Sequence, residues 1–189
     1  MGIVQGSGVD TSLNDLGRAQ ADAFFQHYRQ VPFDKVYTSC LRRSIESVHG
    51  FLSAGIPHES LAGLNEISWG LAEGQPVTAE ADASYFSMLA RWRAGETDLA
   101  IPGGESPRDV FTRMAPAVTK ILDVKNEQTI LICMHGRAMR VLLCHLMEQP
   151  LNAMDDFDHT NLCLYLIEHD GNRASITLRN DVTHLSRLM

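Results

Sequence analysis

Apolar side chains recur at Leu13, Leu16, Ala19, Ala23 and Phe24, the spacing of one helical face. They predict a helix over residues 13–30, stopped by Val31-Pro32. Residues 34–39 predict a short strand centred on Val36 and Tyr37, and residues 40–54 a second helix closed by Gly55 and Pro57. The stretch 55–104 is irregular, punctuated by Gly63, Gly70, Gly74, Gly95 and Gly103-Gly104, with one helix expected over 79–94. Ser106 as N-cap, Pro107 at the first helical position and Asp109 three residues after the cap start a helix that runs to about Val124.

Residues 129–134 (TILICM) form a continuous apolar run, the pattern of a parallel strand buried on both faces, and 137–147 return as a helix. Residues 162–168 and 174–179 predict a hairpin around Asp170-Gly171-Asn172. Without repeat or linker, the chain reads as one domain, 1–189. Strands alternating with helices predict an α/β three-layer sandwich, a mostly parallel central sheet with helices on both faces.

Composition narrows the class. The 189 residues are 44% hydrophobic and carry 16 basic against 23 acidic groups, a formal charge of −7. An acidic surface argues against a nucleic-acid partner, whose phosphates are bound by clustered Lys and Arg, yet a few focused arginines suffice for a small anion. No apolar run approaches the roughly 18 residues of a membrane span, and the first residues lack the basic and apolar blocks of a signal peptide. The four cysteines have no CxxC spacing and lie in apolar segments, which predicts buried reduced thiols and a soluble, cytoplasmic protein. The eight histidines are dispersed, and neither a metal site nor a cofactor is expected.

Candidate chemistry sits at strand ends. His135-Gly136 follows the TILICM strand where a helix begins, so the free N–H groups of that helix could hold an anion; a satisfied core histidine is the other reading. Arg42 and Arg43 lie at a second strand-to-helix junction, where one could make a bidentate phosphate contact or both could be solvated helix charges. Glu66 stands between apolar neighbours, the setting of a general acid, or is a surface loop residue. Ser7, in Gly6-Ser7-Gly8, lacks the G-x-S-x-G spacing of a serine hydrolase.

Taken together, these segments resemble the histidine phosphatase superfamily, the phosphoglycerate-mutase-like enzymes. Gly2-Ile3-Val4-Gln5-Gly6 with Asp10, Leu13, Gly17, Gln20 and Ala21 is similar to the stretch after the family's first active-site loop. Tyr37-Thr38-Ser39-Cys40-Leu41-Arg42-Arg43 resembles its Y-[ST]-S-x-L-x-R segment, and Leu64-Asn65-Glu66 with Gly70 and Glu73-Gly74 its L-x-E…G…E-G segment. Pro102-Gly103-Gly104-Glu105-Ser106 and His135-Gly136 with Arg140 are similar to its two later motifs.

The resemblance implies a metal-independent phosphatase that transfers a phosphoryl group to a histidine and then to water, with a small phosphorylated substrate and neither nucleic acid nor membrane as partner. It implies Glu66 and His135 as catalytic residues around one anion site. Arg43 would bind phosphate, with Gln5, Gly6 and Gly136 on the substrate side. The family's Arg-His-Gly nucleophile motif is absent from the sequence; His49-Gly50 lacks the preceding arginine and reads as structural. The expectation is therefore about fifteen further residues encoded upstream of Met1, a strand ending in Arg-His-Gly beside the TILICM strand. A catalytically inactive phospho-ligand-binding relative and a phosphoglycerate mutase are the alternatives.

Overall fold

The computed structural model describes residues 2–186 and 188. Helix α1 (Asp15–Tyr28) starts at Asn14, whose side-chain oxygen accepts a 2.8 Å hydrogen bond from the Gly17 N–H. Strand β1 (Lys35–Thr38) leads into two short helices, α2 (Arg42–Ser47) and α3 (His49–Ser53), and then into β2 (His58–Ser60). After an irregular stretch come α4 (Ala79–Arg93), α5 (Pro107–Leu122), β3 (Ile130–Cys133), α6 (Gly136–Leu146), and the hairpin β4 (Leu164–His169) and β5 (Ala174–Asp181). The expected capping box is present: the Ser106 side chain accepts from the Asp109 N–H, and Asp109 accepts from the Ser106 N–H.

The central sheet is parallel, in the order β2-β1-β3, and β4-β5 form a separate antiparallel pair. Successive residues of a strand face opposite sides, and both sides are covered. Val36 and Leu131 pack with Phe24 of α1, Phe51 of α3 and Val48 between α2 and α3. Tyr37 packs with Leu64 and Ile121, joined by the half-buried Ile130 and Ile132. The largest apolar cluster unites α4, α5 and α6 through Trp92, Val110, Met114, Val118, Val141 and Leu143. Helices on both faces of a parallel sheet make this the expected α/β architecture.

Four local expectations are corrected. The helix expected over 40–54 is two helices, divided at Val48 (φ −113°, ψ 10°). Val48 is buried with Phe24 and Phe51, and α3 then lies so close to α1 that a Cβ on Gly50 would sit 2.4 Å from Phe25 Cγ. Strand β2 went unseen because His58-Glu59-Ser60 is polar and exposed or half-buried; it pairs at the sheet edge with Val36, Tyr37 and Thr38. In β3 only Leu131 is buried, the other three residues being half-buried, because β3 pairs with β1 alone and its second edge meets no strand among the described residues. The cysteines are free, but of the four expected to be buried only Cys144 is; Cys133 and Cys163 are half-buried and Cys40 is exposed.

Candidate functional site

The parallel register pairs Thr38 with Cys133, so β1 and β3 end side by side and present Ser39 and His135 together. The Ser39 N–H donates to the Cys133 carbonyl at 3.2 Å, and Ser39 Oγ lies 2.7 Å from His135 Nε2. His135 occupies the N-cap position of α6 with extended backbone, and its side chain caps nothing. Only 9% of it is exposed. Burial, and then the charges of Arg43 and Arg113, push its pKa down to about 3, so the ring is neutral at pH 7.

Glu66 is equally buried and reaches the same place from the other side. Its Oε1 accepts hydrogen bonds from the N–H groups of Ile67 and Ala138, both at 2.9 Å, and its Oε2 accepts from the Arg137 N–H at 3.2 Å. The α6 N–H groups that the sequence reading offered to an anion are thus partly taken: a protein carboxylate caps the helix. Gly136, at the first helical position, packs against His159, whose ring a Cβ would meet at 3.0 Å.

Arg43 is half-buried on α2. Its Nη1 donates to the Val9 carbonyl at 2.6 Å and its Nη2 to the Gly6 carbonyl at 3.0 Å, so the side chain fastens the segment 6–9 across the site. Burial lowers its pKa, and the nearby Glu66, Asp10 and Glu73 carboxylates oppose that shift. The remaining guanidinium N–H groups have no partner among the described residues, which leaves donors for a ligand. Arg42, by contrast, is exposed; its backbone N–H donates to Asp10 at 2.7 Å, and its side chain has no hydrogen-bond partner among the described residues.

Gly6 is buried, and a Cβ there would fall 2.2 Å from Glu73 Oε1 and 2.7 Å from the Ile67 carbonyl oxygen. The Ser7 N–H donates to that same carbonyl at 3.2 Å, which joins the 6–9 segment to the Glu66 loop. Gln5 is exposed, with a 3.5 Å contact to Thr11 as its side-chain hydrogen bond. Arg43, Gly6, Glu66, His135 and Gly136 therefore gather in one region, and Gln5 lies at its outer edge.

Three contributors had not been singled out. Ser39 stands within the Tyr37–Arg43 segment, where nothing local in sequence marks its contact with His135. Arg113, in mid-α5, holds the Glu66 loop by donating to the Gly63 and Glu66 carbonyls, both at 2.9 Å, and pairs with Glu105 at 2.7 Å. Nothing local in sequence marks it. Arg137, only 4% exposed, pairs with Asp155 and donates to Tyr85 Oη at 2.9 Å, tying α4 to the start of α6. Among the described residues no group of three or more His, Cys, Asp or Glu is arranged to hold a metal ion, and no helix is long and apolar enough to cross a membrane.

Residues 2–182 match the sequence pattern of the histidine phosphatase superfamily (branch 1). The chain is 30% identical over 144 residues to the 6-phosphofructo-2-kinase/fructose-2,6-bisphosphatase of Gallus gallus, a match covering 75% of this chain and 29% of that protein. It is 29% identical over 142 residues to the 2,3-bisphosphoglycerate-dependent phosphoglycerate mutase of Cytophaga hutchinsonii, covering 72% of this chain and 66% of that one. The matched part is thus less than two thirds of either curated relative. Among solved structures, Bacillus stearothermophilus YhfR superimposes with a TM-score of 0.83 at 26% identity, covering 97% of this chain and 91% of that one.

Proposed function

The chain belongs to the histidine phosphatase superfamily, branch 1, and from that premise we propose that it is a phosphohydrolase acting on a small phosphate ester through a phosphohistidine intermediate. The observation that carries this reading is the convergence of Arg43, Glu66 and His135 at the carboxyl ends of parallel strands, although they lie far apart in the chain. Phosphoryl transfer demands positioning and neutralisation of the equatorial oxygens more than covalent chemistry from the protein. Arg43 supplies guanidinium donors for those oxygens, and His135 a second contact. Attack of a histidine nitrogen on phosphorus breaks the ester P–O bond, and Glu66 gives the leaving alkoxide its proton. Glu66 then takes a proton from water, whose oxygen displaces the histidine from phosphorus.

The nucleophile in this proposal comes from a strand ending in Arg-His-Gly encoded upstream of Met1; that the second edge of β3 meets no strand among the described residues supports this placement. A hydrolase is favoured over a mutase by the short excursion between α3 and α4, where phosphoglycerate mutases carry longer insertions. Binding without turnover is the second reading. It is favoured by the absence of an Arg-His-Gly motif from the sequence, which keeps Arg43 and His135 without a nucleophile of the family's kind.

The test is to read the codons before Met1 and assay the protein that includes them on a panel of phosphate monoesters. Hydrolysis with a protein-bound phosphate that is acid-labile and alkali-stable supports the proposal. An in-frame stop with no Arg-His-Gly codons, or a full-length protein that binds phosphate without turnover, transfers the assignment to the non-catalytic reading.

A further inference from the structure

The mechanism proposed above leaves one polar side chain at the N-terminal end of α6 without a task. A Cβ on Gly136 would lie 3.0 Å from His159 Cε1, 3.1 Å from Nδ1 and 3.2 Å from Nε2. Three ring atoms at nearly one distance mean that the imidazole lies flat over Gly136, where a side chain of that residue would otherwise stand. Imidazole nitrogens donate and accept in the ring plane, so this stacking leaves both of them open. His159 is exposed, and neither nitrogen has a hydrogen-bond partner among the described residues. Its backbone is fastened on both sides. The Phe157 carbonyl accepts from Arg140 Nε at 2.8 Å, the Asp158 carbonyl from Tyr165 Oη at 2.6 Å, and the Thr160 N–H donates to Asn180 Oδ1 at 2.8 Å.

Burial of one face, and then the charges of Arg140 and Arg137, lower the His159 pKa from its ordinary 6.5, so the ring is neutral at pH 7. A neutral imidazole offers one donor and one acceptor, which suits a hydroxyl better than a second anion. Direction matters as well. Glu66, which gives its proton to the leaving alkoxide in the function proposed above, accepts from the N–H groups of Arg137 and Ala138, the two residues after Gly136. The alcohol half of the ester then departs along the first turn of α6, past His159. We propose that His159 is a specificity-determining residue that meets this alcohol half and selects an ester whose alcohol carries a further hydroxyl group. This rests on the function proposed above and adds to it the class of alcohol.

Calorimetric titration with glycerol 3-phosphate and n-propyl phosphate tests it, since the two esters differ only in the hydroxyls that the second lacks. Glycerol 3-phosphate should bind about fivefold more tightly, the effect of one hydrogen bond of ordinary net strength. His159→Phe keeps a flat ring over Gly136 without the nitrogens and should erase that difference. His159→Gln, whose amide both donates and accepts, should restore part of it. Inorganic phosphate, titrated into each protein, reports whether the anion site survives the substitution. Equal affinity for the two esters in the unaltered chain, or a difference that survives His159→Phe, would overturn the proposal and leave the function above standing. An unaltered chain that binds no inorganic phosphate would instead sink that function, and the role of His159 with it.

Discussion

The Glu66 carboxylate accepts a 2.9 Å hydrogen bond from the backbone N–H of Ala138, in the first turn of α6. With the Arg137 bond at 3.2 Å, it stands where a capping side chain would stand, because His135 in the N-cap position has its ring turned to Ser39. One residue therefore serves the helix and the proposed chemistry. Glu66→Ala should lower stability by about 1–3 kcal/mol, leaving three backbone N–H groups without their acceptor, and Glu66→Gln by distinctly less, since the amide keeps one acceptor oxygen. Urea denaturation measures both. Equal, negligible losses would show that the cap is not formed.

Arg43 and Arg42 are neighbours with different duties. Arg43→Ala removes both ties to the Gly6 and Val9 carbonyls, so the amides of residues 6–9 should exchange hydrogen faster by about tenfold or more, while the rest of the molecule stays protected. The exposed side chain of Arg42 makes no such bond, and Arg42→Ala should leave exchange there unchanged. Equal effects at the two positions would contradict the assignment.

Gly50→Ala tests the packing of α3 on α1. The added Cβ meets the Phe25 ring at 2.4–2.8 Å, and that ring is itself held edge-on to Phe51. A loss of about 1–3 kcal/mol is expected, part of it recovered in the double variant with Phe25→Leu. A neutral Gly50→Ala would mean that α3 lies further from α1 than described.

His135 should also shape the acid limb of the stability curve. The unfolded chain takes up this proton near pH 6.5, the folded one only near 3. Between those values the unfolded state binds more protons, so stability falls as pH drops from about 6.5 toward 3 and is insensitive to this residue above 6.5. His58, His159 and His184 are shifted in the same direction by burial, so His135→Asn should reduce the slope rather than abolish it. Chemical denaturation across pH 4–8 decides this; an unchanged slope would place the ring in water.

Elements with a local chemical signature were legible from the chain. The Ser106–Asp109 cap and the Asp170 turn, whose side chain accepts from the N–H groups of Asn172 and Arg173 at 2.8 Å each, are written in adjacent residues. Val48 carries no such mark, because the break there arises from where α1 lies. Nor does β2, three polar residues whose only reason to extend is the neighbouring β1. In the site, Arg43, Glu66 and His135 were legible through the family resemblance of their segments, not from spacing alone. That Glu66 caps α6, or that Ser39 rather than an anion meets His135 Nε2, depends on strands brought together only by folding.

The most direct test of the central claim, that Arg43, Glu66 and His135 line a single phosphoryl-binding site, is calorimetric titration of the chain with inorganic phosphate or its analogue vanadate. The expected result is saturable binding of one anion, weakened about tenfold or more by Arg43→Ala and left intact by Arg42→Ala, as the loss of a charge-assisted contact requires. Absence of binding, or binding that Arg43→Ala does not alter, would contradict it.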